Sequence, residues 1–300
     1  MVFIRSRATA SRSCLLYQYI KAAFAVLPLM AASALAQDAE LLRVQANGGE
    51  IEYQLSGSGE PVVLIHGTGV AATFAPMHAE PALAGYRLIR MHRRGFAGSS
   101  RTPAGFSIAD HAADVVALLA TLGVERAHIV GHSFGGMVAL QLALDAPELV
   151  SDLVVIEPPI FDTSSPPGVF AALTATYESG DKESAMNTFS TMSYGQDWRE
   201  LAARVPGGPE QVIRDVDTVF QTETPAMLQW GFGEAQASGI DQPILYIAGG
   251  SGHGASLPQL QEWIPQLQSA SLPELSHAML MQDPPAVAAV IATFIGQHPY

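Results

Sequence analysis

The chain has 300 residues, 48% of them hydrophobic, enough for one large core. Acidic residues outnumber basic ones 28 to 15, a formal net charge of −13. That balance argues against a nucleic-acid partner or an anionic membrane surface, and the single cysteine, Cys14, leaves no intrachain disulfide to form.

Residues 1–36 differ from the rest. Arg5, Arg7, Arg12 and Lys21 stand in a stretch without acids, an apolar run follows from Ala22 to Ala34, and Ala34-Leu35-Ala36 precedes Gln37. This is the layout of a secretory signal peptide, with cleavage expected after Ala36 and export to the periplasm or the extracellular space. The apolar run is short for a bilayer span and Pro28 interrupts it; the rival reading is an uncleaved anchor. Once the leader is removed, 11 basic residues face 28 acidic ones, a net charge of −17, and no cysteine remains. No stable membrane association is expected of that form.

Two short strands, Leu41 to Val44 and Ile51 to Leu55, flank a turn at Asn47-Gly48-Gly49. Pro61 to Ile65 is continuously apolar, as suits a strand buried on both faces of a parallel sheet. The small residues from Thr68 to Ala72 allow close approach of backbone to a substrate. A strand from Tyr86 to Met91 runs into His92-Arg93-Arg94-Gly95, read as a structural turn. Ser107 and Asp110 form a capping-box pair for a helix whose apolar face is Ile108, Ala112, Val115, Leu119 and Leu122, and Gly123 ends it. Val150 to Ile156 is another buried strand.

Residues 158–238 break this rhythm with proline pairs and many large apolar side chains, Tyr177, Phe189, Tyr194, Trp198, Phe220, Met227, Trp230 and Phe232 among them. Most are expected to form a small core of their own, the remainder to line an apolar pocket. Alternation then resumes: a strand from Pro243 to Ala248, a helix from Leu257 to Ile264, a strand from Ser269 to Leu272, and a helix reaching Ile295 with Pro284 and Pro285 at its start. Strands alternating with helices predict a doubly wound parallel sheet.

The chemistry centres on Gly131-His132-Ser133-Phe134-Gly135-Gly136, set between the apolar Ala127–Val130 run and a helical pattern from Met137 to Ala146. A G-x-S-x-G match between strand and helix predicts a nucleophile elbow, in which the two glycines leave room on a strained turn and the serine hydroxyl stands clear of the sheet. The bland alternative is an ordinary glycine-rich connection. Two further elements stand in matching order, His66-Gly67-Thr68-Gly69 upstream and His277 near the C-terminus.

Together these resemble the α/β-hydrolase superfamily over residues 41–298. The resemblance implies an α/β-hydrolase fold, a mostly parallel doubly wound sheet with a helical cap inserted after the sixth strand. Residues 37–157 and 239–300 would form the core and 158–238 the cap. It also implies Ser133 as nucleophile and His277 as base, with the backbone N–H groups of Phe134 and of Thr68 or Gly67 as oxyanion hole. No metal or cofactor is expected, since no histidine has zinc-ligand spacing; His253 is the one rival to His277.

Two positions depart from the family pattern. Relatives carry an acid where His92 stands. The loop after the seventh strand, the commonest place for the triad acid, reads Gly249-Gly250-Ser251-Gly252-His253-Gly254 and contains none. Glu157, after the apolar strand Val150–Ile156, is the best substitute, as in some haloalkane dehalogenases; Glu274 and Asp241 are weaker ones. The expected activity is hydrolysis of a small apolar ester or lactone through an acyl-enzyme. Carbon–carbon hydrolysis, perhydrolysis or acyl transfer on the same triad, and a slow or inert ligand receptor, remain open.

Overall fold

The computed structural model describes residues 40–160, 168–250 and 253–300. The leader with Cys14, the segment 161–167 with Phe161, residues 251–252 and the His253 side chain lie outside the described residues.

Eight strands form one sheet in the order β1-β2-β4-β3-β5-β6-β7-β8. They are β1 (Leu41–Ala46), β2 (Gly49–Ser56), β3 (Pro61–Ile65), β4 (Arg87–His92), β5 (Ala127–His132), β6 (Val150–Ile156), β7 (Ile244–Gly249) and β8 (Gln268–Leu272). β1 with β2 and β2 with β4 pair antiparallel, and every other pairing is parallel. Position in the sheet explains each strand's composition. Central β5 and β6 are buried at every residue, whereas edge strand β8 is largely exposed.

Side chains alternate between two apolar layers. Val63, Ile65, Ile129 and Val155 pack against α1 (Ile108–Thr121) and α2 (Phe134–Asp145), while Val62, Leu64, Val130 and Ile156 belong to a second core on the opposite face. The capping box at Ser107 and Asp110 forms as the sequence implies. Helix α2 starts three residues earlier than its apolar pattern suggests, because Phe134 and both following glycines are already helical.

Between β6 and β7 come α3 (Gly168–Glu178), α4 (Lys182–Tyr194), α5 (Trp198–Ala202), α6 (Gly208–Thr218), a π-helical turn (Val219–Glu223), α7 (Thr224–Gln229) and α8 (Glu234–Ala237). Tyr177, Phe189, Tyr194, Trp198 and Phe220 share a third core here, which also takes in Val70 and Phe96 from the sheet side. Met227 and Phe232 instead join the core beneath α2, with Trp230 packed at its margin. Part of the apolar content of this insertion therefore anchors it to the sheet rather than filling it. After β7 come α9 (Leu257–Trp263), α10 (Met279–Gln282) and α11 (Pro284–Ile295), the last covering the second core.

Candidate active site

Ser133 sits between β5 and α2 with φ +53° and ψ −122°, a conformation L-residues rarely adopt. Its N–H donates to Ile156 O at 2.8 Å and its carbonyl accepts from Gly136 N at 2.8 Å, so the turn is locked to β6 on one side and to the helix on the other. The glycines are required by contact. A Cβ at Gly131 would strike the carbonyl of Gly135, and one at Gly135 would strike that of Ile65. At Gly67 a Cβ would come within 2.9 Å of Ser133 Cβ, which places the His66-Gly67 loop directly against the serine.

Glu157 is the first residue after β6 and also has positive φ, +46°. Its side chain is fully buried; Oε2 lies 2.7 Å from His277 Nδ1, and Oε1 accepts from Gly249 N–H at 2.7 Å. The last residue of β7 thus supplies a backbone donor to this carboxylate. Gly250 N–H in turn donates to Leu275 O at 2.7 Å, tying the loop after β7 to the one bearing His277. His132, the neighbour of Ser133, donates from Nε2 to His277 O at 3.0 Å, and the two rings are 4.6 Å apart. Serine, histidine and glutamate segments are therefore brought to one place. Nδ1 is the ring nitrogen of His277 that faces the carboxylate. Glu274 and Asp241 are not the groups that meet Nδ1.

The stretch His92–Ser99 is more than a turn. Arg94 pairs with Asp114 at 2.6 Å and donates to Asn47 O, a structural role. Burial, foremost, raises Asp114 to about 6. Glu52, on β2, meets His92 Nδ1 at 2.9 Å and accepts from Gly98 N–H at 2.9 Å. The His92 hydrogen bond is the main reason its pKa falls to about 2, whereas burial pushes His92 itself down, so that it acts as a neutral donor.

Sequence reasoning missed Arg93, Tyr194 and Glu223. Arg93 is fully buried, its guanidinium 4.5 Å from the centre of the Phe134 ring and 5.0 Å from that of Phe96. Its Nε donates to His66 O at 2.8 Å and its Nη2 to Gly67 O at 2.9 Å. Its backbone N–H donates to His66 Nε2 at 2.9 Å, and His66 Nδ1 then donates to Gly67 O at 2.7 Å. Burial pulls the pKa of His66 well down, in keeping with this neutral tautomer. Tyr194, on α4, donates to Thr68 O at 3.1 Å and lays its ring 5.1 Å from that of His277. Glu223, in the π-helical turn, stands 2.5 Å from Arg93 Nη2 with neither side chain exposed. Burial raises its pKa, while the guanidinium and the Thr68 hydroxyl pull it back down. The signal for Arg93 was its place directly after a buried strand, where a charge needs partners.

The chain is 42% identical over 113 residues to the putative carbamate hydrolase RutD of Variovorax paradoxus, a match covering 35% of this chain and 41% of that protein. It thus spans about two fifths of the length of that curated relative. The solved enol-lactonase of Burkholderia xenovorans superposes with TM-score 0.68 at 21% identity, over 85% of this chain and all of that one. Carboxylesterase CesB of Bacillus subtilis superposes with TM-score 0.71 at 21% identity, over 89% of this chain and 95% of that one. These two similarities show the shared fold. The family described as alpha/beta hydrolase fold matches residues 60–284, three quarters of the sequence, and to that family this chain belongs.

Proposed function

We propose that the protein is a serine hydrolase that cleaves a carboxylic ester or lactone through an acyl-enzyme on Ser133. The observation that carries the proposal is the Glu157–His277 pair at 2.7 Å, in the loops fastened beside the elbow. In this reading His277 Nε2 takes the Ser133 proton as Oγ attacks the carbonyl, and Glu157 holds the tautomer and stabilises the imidazolium. The N–H groups of Phe134 and of Thr68 or Gly67 receive the oxyanion. His277 then protonates the leaving alcohol, and water repeats the sequence to release the acid.

An enol-lactonase and a carboxylesterase share this fold, which is in keeping with an ester or lactone as substrate. The aromatic insertion between β6 and β7 favours a small apolar substrate. A carboxylate beside His277 removes the main support for an inert receptor. Export is part of the proposal and rests on residues 1–36; mass spectrometry of protein recovered from outside the cytoplasm should find Gln37 at the N-terminus, and retention of Arg5 to Lys21 would contradict it.

The decisive test is turnover of p-nitrophenyl esters of graded chain length by the wild type and Ser133→Ala. The variant should stay folded and fall below about a hundredth of the wild-type rate; retention of more would remove Ser133 from the mechanism.

A further inference from the structure

The first two carbonyls of the loop that follows β3 accept from one guanidinium. His66 O and Gly67 O both accept from the Arg93 guanidinium, at 2.8 and 2.9 Å, and the next carbonyl, Thr68 O, accepts from the Tyr194 hydroxyl at 3.1 Å. A trans peptide is planar, so its C=O and the following N–H point in opposite directions. Fixing His66 O and Gly67 O on Arg93 therefore aims Gly67 N–H and Thr68 N–H away from the guanidinium. Rotation of either peptide would break a charge-assisted hydrogen bond inside a buried site, where an unsatisfied group is costly.

The fork itself is held from three sides. The rings of Phe96 and Phe134 flank it, and Glu223 pairs with Nη2, the nitrogen that also serves Gly67 O. Glu223 belongs to the segment between β6 and β7, as does Tyr194, so the insertion helps hold this loop through two separate residues.

We propose that Arg93, braced by Glu223, is the positioning residue for the oxyanion donors of Gly67 and Thr68. It touches no reacting atom and acts by setting the orientation of two peptide planes before substrate arrives. The inference rests on the serine-hydrolase reading of Ser133. It predicts a kcat effect, because oxyanion donors are worth more to the transition state than to bound substrate. A residue that merely fastened the fold together would move stability instead.

The test uses the full-length protein and two variants, with p-nitrophenyl butyrate as substrate and phenylboronic acid as a probe that forms a tetrahedral anion on the serine. Arg93→Lys keeps the charge but not the planar fork. The double variant Arg93→Met/Glu223→Leu removes both charges together, so that no unpaired buried charge is left to unfold the chain. Both are expected to lose about 10²- to 10³-fold in kcat, the scale of one oxyanion donor, with KM changed less than about threefold. Boronate affinity should fall in step with kcat, and the pH at which activity rises on the acid side should stay where it is. A folded variant of either kind that keeps kcat and boronate affinity within about threefold of wild type overturns the proposal. Ser133→Ala is run alongside. If the wild type neither turns over ester nor binds boronate, the hydrolase reading has failed and this inference with it. If Ser133→Ala is dead while the Arg93 variants are unimpaired, only the positioning role has failed.

Discussion

Replacing Glu157 by Gln keeps the length of the side chain but makes its two ends different. Oε1 accepts from Gly249 N–H and Oε2 faces His277 Nδ1, each at 2.7 Å. If the amide oxygen stays with Gly249, the NH2 group faces His277 and Nδ1 must become the acceptor. The proton then sits on Nε2 and the base is gone. If the amide turns round, the useful tautomer survives, but two N–H groups meet at Gly249, at a cost of about 1–3 kcal/mol for the unsatisfied donor. In both arrangements the charge that stabilises the imidazolium is lost, about another 2–3 kcal/mol. Together these come to about 3–6 kcal/mol, a 10²- to 10⁴-fold fall in kcat at 1.36 kcal/mol per tenfold. The upper end matches the cost of an acid-to-amide change in a serine protease triad, about 10⁴. Initial rates on p-nitrophenyl acetate give kcat and KM, and a melting curve shows whether the variant is folded. KM should hardly move. A folded Glu157→Gln protein that keeps more than about a tenth of wild-type kcat would refute the tautomer argument and leave His277 with some other partner.

Ser133→Gly should be more stable than Ser133→Ala by about 1 kcal/mol, because glycine relieves the strain of φ +53° and returns part of the gain as chain entropy; equal melting temperatures would contradict it. Glu52→Gln should flatten the acid limb of the stability profile. The Glu52 carboxyl, ordinarily near 4.5, is held at about 2, foremost by the His92 hydrogen bond, so its contribution is complete above pH 4.5 and disappears as pH falls toward 2. Denaturant midpoints of the wild type should drop more steeply than those of the variant across that interval, with up to about 3 kcal/mol at stake; parallel slopes would remove Glu52 from the account.

What the sequence made legible was whatever local chemistry decides. Pro61–Ile65 reads as a buried strand and is one, and Ser107 with Asp110 starts a helix where a capping box should. Helix α2 begins before its apolar pattern because residues 134–136 carry no apolar period, the first turn being set by the strained serine. Contacts distant in sequence left weaker traces. Met227 and Phe232 are as apolar as the other large side chains of the insertion, yet belong to the core under α2 rather than to the insertion's own. Glu223 lies in the polar stretch Gln221-Thr222-Glu223-Thr224 with no spacing to tie it to Arg93, which is 130 positions away, and only the fold brings the two together. The Glu52 contacts are of the same kind: the pairing of β2 with β4 sets Glu52 opposite His92, and Gly98 N–H donates to its carboxylate.

Glu157 and His277 are separated by 120 positions, with α3 to α9, β7 and β8 lying between them. Closing a loop of that length costs about 4 kcal/mol of chain entropy, more than one hydrogen bond returns. Docking of β7 on β6 and of β8 on β7 is what brings the two segments together. On the proposed mechanism, a chain folded as far as the Ser133 elbow but with that side of the sheet unpaired would be inactive, because the Glu157–His277 pair would not yet stand beside the serine.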